Sequence, residues 1–288
     1  MHYGTVAEMV ATSDSSPSPS YSVQRLAIAT TTGRHVTCLL RRPTETTVAG
    51  SPVDSAGRQA LVLAGGEEGG RRAALLVDPA YAGIVLSCDY PWSPLVSSSV
   101  IAMAWRLPRL RAELLATPEL LRVAADALWR QPDVDTMRVA AAGASLGVPP
   151  VAAWAARDPR PRAVALLYGG GHLERQLAIT FEREIGAPAF SRLSARLVAW
   201  LLGPLEPTRT AGLIAPRPLL IVGARDDERV PLAGIQALYA AALEPRRLVL
   251  FGGAHMHPSN AELLRQLADT TIAWLGEVLP RGGDRQPH

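Results

Sequence analysis

Gly143-Ala144-Ser145-Leu146-Gly147 stands between the apolar run Arg138 to Ala142 and the helix-like stretch Val151 to Ala156. The chain must therefore pass from a strand into a helix across a very sharp turn with a serine at its tip. Side chains two residues either side of that serine would collide with neighbouring backbone, and glycine takes such geometry at little steric cost. Taken alone, the pentapeptide also reads as an ordinary Gly/Ser turn, so its surroundings decide its meaning.

Two downstream segments supply that context. Pro218 to Val222 is a short continuous apolar run, the mark of a buried parallel strand, and it opens into Gly223-Ala224-Arg225-Asp226-Asp227-Glu228-Arg229-Val230-Pro231. Arg247 to Phe251 is another, ending in Gly252-Gly253-Ala254-His255-Met256-His257. Serine, acid and histidine thus follow one another along the chain, each just past the carboxyl end of a strand. This order resembles the α/β-hydrolase fold family, its serine-esterase and dienelactone-hydrolase-like branch, over roughly residues 22 to 278. The resemblance implies a mostly parallel twisted sheet of about eight strands, helices on both faces and a small helical lid.

It also implies a chemistry. Ser145 would be the nucleophile, activated by a histidine that takes its proton. Both His255 and His257 are available; small residues leading straight into the catalytic histidine are the family pattern, which favours His255. Asp226, Asp227 and Glu228 compete for the acid. In many relatives the aspartate stands three residues before the valine of a Val-Pro pair, which gives Asp227. The oxyanion hole needs two backbone N–H groups. Leu146 would supply one, and Gly66 or Glu67 the other, from the loop Ala64-Gly65-Gly66-Glu67-Glu68-Gly69-Gly70. That loop resembles the His-Gly-Gly-Gly loop of esterases but has Ala64 where the histidine would stand. Trp92, Trp105, Phe181 and Trp200 are candidates for an apolar acyl pocket, or for plain core and lid packing.

The implied activity is cleavage of a small-molecule carboxylic ester through an acyl-enzyme, with no metal or organic cofactor. A thioesterase, acyltransferase or peptidase could use the same triad, and a non-catalytic hydrolase-fold protein could hold a small molecule under its lid.

Composition narrows the other classes. All 29 basic residues are arginine, so lysine-based Schiff-base chemistry is excluded. The arginines are scattered among acidic residues, which does not suit a nucleic-acid partner. No apolar run is long enough to span a membrane, and the N-terminus lacks a secretory pattern, so a cytoplasmic location is expected. Cys38 and Cys88, each within a strand-like run, read as separate small buried residues.

Along the chain, residues 1 to 21 are Ser/Pro-rich and read as a mobile tail. Residues 22 to 280 form one domain with strands near 23–29, 35–40, 60–63, 83–87, 138–142, 163–168, 218–222 and 247–251. Helices are expected at 72–77, 97–115, 119–129 and 263–279, with the helical lid at about 171–210 and a flexible tail over 281–288.

Overall fold

The apolar runs become strands of a nine-stranded sheet in the computed structural model, which describes residues 3–44, 57–66, 70–92 and 100–280. The strands are β1 (Val6–Asp14), β2 (Tyr21–Thr30), β3 (His35–Pro43), β4 (Arg58–Ala64), β5 (Ile84–Cys88), β6 (Val134–Ala144), β7 (Ala163–Leu167), β8 (Leu219–Ala224) and β9 (Arg246–Phe251). Their spatial order is β1-β2-β3-β5-β4-β6-β7-β8-β9. The ladders from β1 through β3 to β5 are antiparallel, and all those from β5 to β9 are parallel.

The helices are α1 (Val100–Trp129), α2 (Val148–Ala155), α3 (Leu173–Ile185), α4 (Pro188–Leu201), α5 (Pro207–Thr210), α6 (Leu232–Ala241) and α7 (Ala261–Val278). Alternation along each strand sends side chains into two separate cores. Val139 and Ala141 of β6 face α1, α2 and α6, while Ala140, Ala142 and Ala144 face α7. Both faces are covered, so every residue of β7 and β8 is buried, whereas β9 at the edge is only partly so.

Four local expectations are corrected. Residues 1 to 21 are not a mobile tail: β1 pairs antiparallel with β2 from Val6↔Thr30 to Asp14↔Val23 and adds a ninth strand to the expected eight. An edge strand gains its ladder bonds from its neighbour and needs little apolar pattern, and here only Val6 of the strand is buried. The Ser/Pro run is its connection to β2, with the Ser16 hydroxyl donating to the Tyr21 carbonyl at 2.6 Å.

The two helices expected at 97–115 and 119–129 are one, α1, which runs through Pro108 and Pro118. Each proline removes one internal donor, but Leu120, Leu121, Ala124, Ala125 and Leu128 bury a continuous face against the sheet. The helix expected near 72–77 is only a 3-10 turn, Gly70–Leu75. Finally, Cys38 and Cys88 are a disulfide rather than two thiols. Because β5 inserts beside β3, the two residues stand directly opposite each other in that ladder. The expected tail over 281–288 lies outside the described residues.

Candidate active site

Ser145 follows the last residue of β6 with φ at +51°, in the left-handed region that non-glycine residues seldom occupy. The flanking glycines have a steric cause. A Cβ on Gly147 would lie 2.1 Å from the Ala64 carbonyl oxygen at the end of β4, and one on Gly143 would lie 2.5 Å from the Gly147 carbonyl oxygen. Tyr168 (φ +55°) and His172 (φ +60°), past the end of the adjacent β7, share this unusual backbone. Such backbone persists only where the surroundings over-determine it, as they commonly do at active sites.

The loops after β8 and β9 bring two more side chains to Ser145. The Ser145 hydroxyl lies 2.8 Å from Nε2 of His255, and Nδ1 of His255 lies 2.7 Å from Oδ2 of Asp227. An ionised carboxylate only accepts. Nδ1 therefore carries the ring hydrogen and donates to Asp227, which leaves Nε2 to accept from the serine. Asp227 is fixed in turn, because its Oδ1 accepts from the N–H groups of Arg229 and Val230, both at 2.8 Å. The Asp227 side chain is fully shielded from solvent and the His255 ring nearly so.

The alternatives point elsewhere. Asp226 is exposed, and His257 is exposed with its Nδ1 2.7 Å from the Ser259 hydroxyl. Glu228 takes a different position: its Oε2 accepts from the backbone N–H of His255 at 2.9 Å. Burial draws the Glu228 carboxyl up, while the amides of His255 and Glu228 draw it further down, so it titrates below the usual carboxylate range.

Gly66 lies alongside the serine, since a Cβ there would be 3.7 Å from Cβ of Ser145. Leu146 follows the serine in the 3-10 turn Ser145–Gly147 and is partly exposed. Gly66, just past the end of β4, and Leu146, just past Ser145, therefore both lie beside the serine. Glu67 lies outside the described residues.

Two neighbours of the site carried no motif. Buried Tyr90 donates its hydroxyl to the Gly65 carbonyl at 2.5 Å, and burial pushes its phenol pKa well up. Tyr168 sets its ring edge-on to His255, with centroids 5.7 Å apart, and burial together with the Asp227 charge pushes its pKa up to about 12. For Tyr90, its place just past the end of β5 was the one signal in the sequence.

The expected aromatic pocket does not assemble. Trp92 is buried in the core beneath α1 and stacks on Tyr90 at 4.9 Å. Trp105 on α1 is 85% exposed and Trp200 on α4 is 76% exposed. Phe181 is half-buried on α3. None of the four lines the apolar cavity that opens beside Gly65 and Gly66. Both exposed tryptophans sit on helix faces turned away from the cores, where apolar character gives no guide to position.

The segment 171–210 is helical throughout most of its length, carrying α3, α4 and α5. Glu206 caps the start of α3 by accepting from the N–H groups of His172 and Leu173 at 3.0 and 2.9 Å. Near the other end of α3, Arg183 lies 3.9 Å from Glu228. Among the described residues no cluster of three or more His, Cys, Asp or Glu side chains could hold a metal ion, and no helix is long and apolar enough to cross a membrane.

No family model and no curated protein matches the sequence. Solved structures match the fold. An acetyl xylan esterase from Paenibacillus sp. R4 superposes with a TM-score of 0.63 at 16% identity, over 91% of this chain and 88% of its own. The 2,6-dihydroxy-pseudo-oxynicotine hydrolase gives a TM-score of 0.63 at 19% identity, over 92% and 70%. A puromycin-hydrolyzing peptidase of Mycobacterium tuberculosis gives 0.62 at 18% identity, over 90% of this chain but 46% of its own. The chain has the α/β-hydrolase fold.

Proposed function

We propose that the protein is a serine hydrolase that cleaves carboxylic esters. One observation carries this reading: the unbroken chain from the Ser145 hydroxyl to His255 at 2.8 Å and from His255 to Asp227 at 2.7 Å. Ser145 attacks the ester carbonyl while His255 Nε2 takes its proton, and Asp227 holds the resulting imidazolium. The backbone N–H groups of Leu146 and Gly66 stabilise the tetrahedral oxyanion. His255 then protonates the leaving alcohol, and water activated by the same ring releases the acid. No step calls for a metal or an organic cofactor.

The relay supports an enzyme over a silent binding protein, which has no need of three groups in register. The acetyl xylan esterase neighbour supports the ester reading as analogy of fold. The match covers only 46% of the puromycin-hydrolyzing neighbour, and an amide substrate is the alternative that the same triad could serve. The disulfide supports an oxidising compartment over the cytoplasmic location expected from the sequence.

The test is hydrolysis of p-nitrophenyl acetate by the native protein and by Ser145→Ala. Turnover that Ser145→Ala reduces by about 10⁵ or more is the expected result, on the scale of losing a catalytic serine. Equal rates for the two proteins overturn the reading.

A further inference from the structure

An apolar slot of about 90 Å³ runs down the α7 face of the sheet from the candidate oxyanion loop. It exists because of two sequence features. Among the described residues, the crossover from β4 to β5 carries only the 3-10 turn Gly70–Leu75 on this face, where a longer helix would cover more sheet. In addition, β6 presents the small side chains Ala142 and Ala144 to the same face, so the floor between the turn and α7 is low.

The slot has fixed walls and an apolar interior. On one side are Leu76 and Val77, and the buried Arg41 guanidinium holds that wall by donating to the carbonyls of Val77 and Asp78, both at 2.6 Å. On the other side are Leu264 and Ala268 of α7. Its two polar side chains are already engaged: the Thr271 hydroxyl donates to Leu267, and the Tyr81 hydroxyl accepts from Gln59. Apart from the Tyr81 O–H, a polar ligand would find no free side-chain donor among the described lining residues. Gly65, Gly66 and Met256 also line it, which brings the slot up to the loop after β4 and to the residue that follows His255.

We propose that this slot binds the acyl chain of the ester, and that the preferred substrates carry short aliphatic acyl groups. The proposal rests on the esterase reading and deepens it. With the carbonyl oxygen on the Gly66 amide, an acyl chain passes between Gly66 and Met256 into the slot. The leaving alcohol stays on the open side, within reach of His255 Nε2. The size sets the class. A cavity of ~150 Å³ takes benzene and a water-sized group occupies ~30 Å³, so this slot holds about three methylene-sized groups beyond the carbonyl. Butanoyl fits, acetyl leaves the slot empty, and a fatty acyl chain overruns it.

The experiment is kcat/KM for p-nitrophenyl acetate, butyrate, hexanoate and decanoate, with native protein, Ala268→Phe and Leu264→Ala. Native protein is expected to prefer butyrate over acetate by about tenfold or more, the discrimination that methylenes give in an apolar pocket. Ala268→Phe fills the slot and should lower the butyrate-to-acetate ratio by at least about tenfold. Leu264→Ala widens it and should move the optimum toward hexanoate, which keeps the test open if the filled variant does not fold. An active native enzyme whose chain-length profile neither substitution moves overturns the slot and leaves the esterase standing. A folded native protein that turns over none of the four esters overturns the esterase reading itself.

Discussion

The Tyr90 hydroxyl donates to the carbonyl oxygen of Gly65 at 2.5 Å, inside the core and stacked on Trp92. That carbonyl and the N–H of Gly66 belong to one planar peptide unit and point in opposite directions. Holding one therefore aims the other, so Tyr90 fixes the direction of the Gly66 N–H that we propose as the second oxyanion donor.

Tyr90→Phe releases that peptide while keeping the ring and its stacking. The expected result is a kcat about tenfold lower with KM nearly unchanged and the pH profile unmoved, a smaller loss than the ~10²–10³ for deleting an oxyanion donor outright. Steady-state kinetics on one ester checks it. A rise in KM alone would assign Tyr90 to binding or packing instead.

Asp227 and Asp226 are adjacent in sequence and opposite in environment. Asp227→Asn keeps the shape but favours the wrong imidazole tautomer, and a kcat loss of about 10⁴ is expected. Asp226→Asn alters an exposed side chain and should leave kcat within about twofold. Comparing the two rates decides which acid serves the histidine.

The Cys38–Cys88 bond joins two strands that are 50 residues apart in sequence. Closing a loop of that length removes unfolded-state entropy worth about 4 kcal/mol. Urea unfolding with and without reductant should show a stability difference of that order, and Cys38→Ala should reproduce the reduced protein. A midpoint insensitive to reductant would show that the bond does not form.

Asp158 should make the fold acid-sensitive. It is buried, which alone would raise its pKa, but bonds from Arg160 at 2.6 and 2.8 Å and from the Trp154 indole at 3.0 Å outweigh that and leave the pKa lowered. A carboxylate whose pKa is lower in the folded state stabilises the fold above its unfolded value, and loses that contribution as pH falls through the folded one. Asp158→Asn should therefore be clearly less stable than native protein at pH 7, with the gap closing in strong acid. Urea midpoints across that range measure it, and a gap independent of pH would contradict the assignment.

Much of this was legible in the sequence because it lies at the ends of apolar runs. The strands β4 to β9, the serine turn and both partner loops announce themselves through short apolar runs, and β2 and β3 through a hairpin pattern. What escaped depends on the spatial order of strands. The edge strand β1 needs β2 to complete it, and the disulfide needs β5 to insert beside β3. Tyr90 acts on Gly65 only because β5 and β4 are neighbours. The aromatic residues failed for a different reason: Trp105 and Trp200 were candidates for an acyl pocket or for core and lid packing, and both face solvent instead.

Exposure of the folded native protein to a fluorophosphonate, followed by peptide mass mapping, tests the central claim most directly. A single adduct on the peptide carrying Ser145, lost in His255→Ala, is the expected result, because only a histidine-activated serine reacts. No adduct, or one on another residue, would contradict the proposed nucleophile and the ester chemistry built on it.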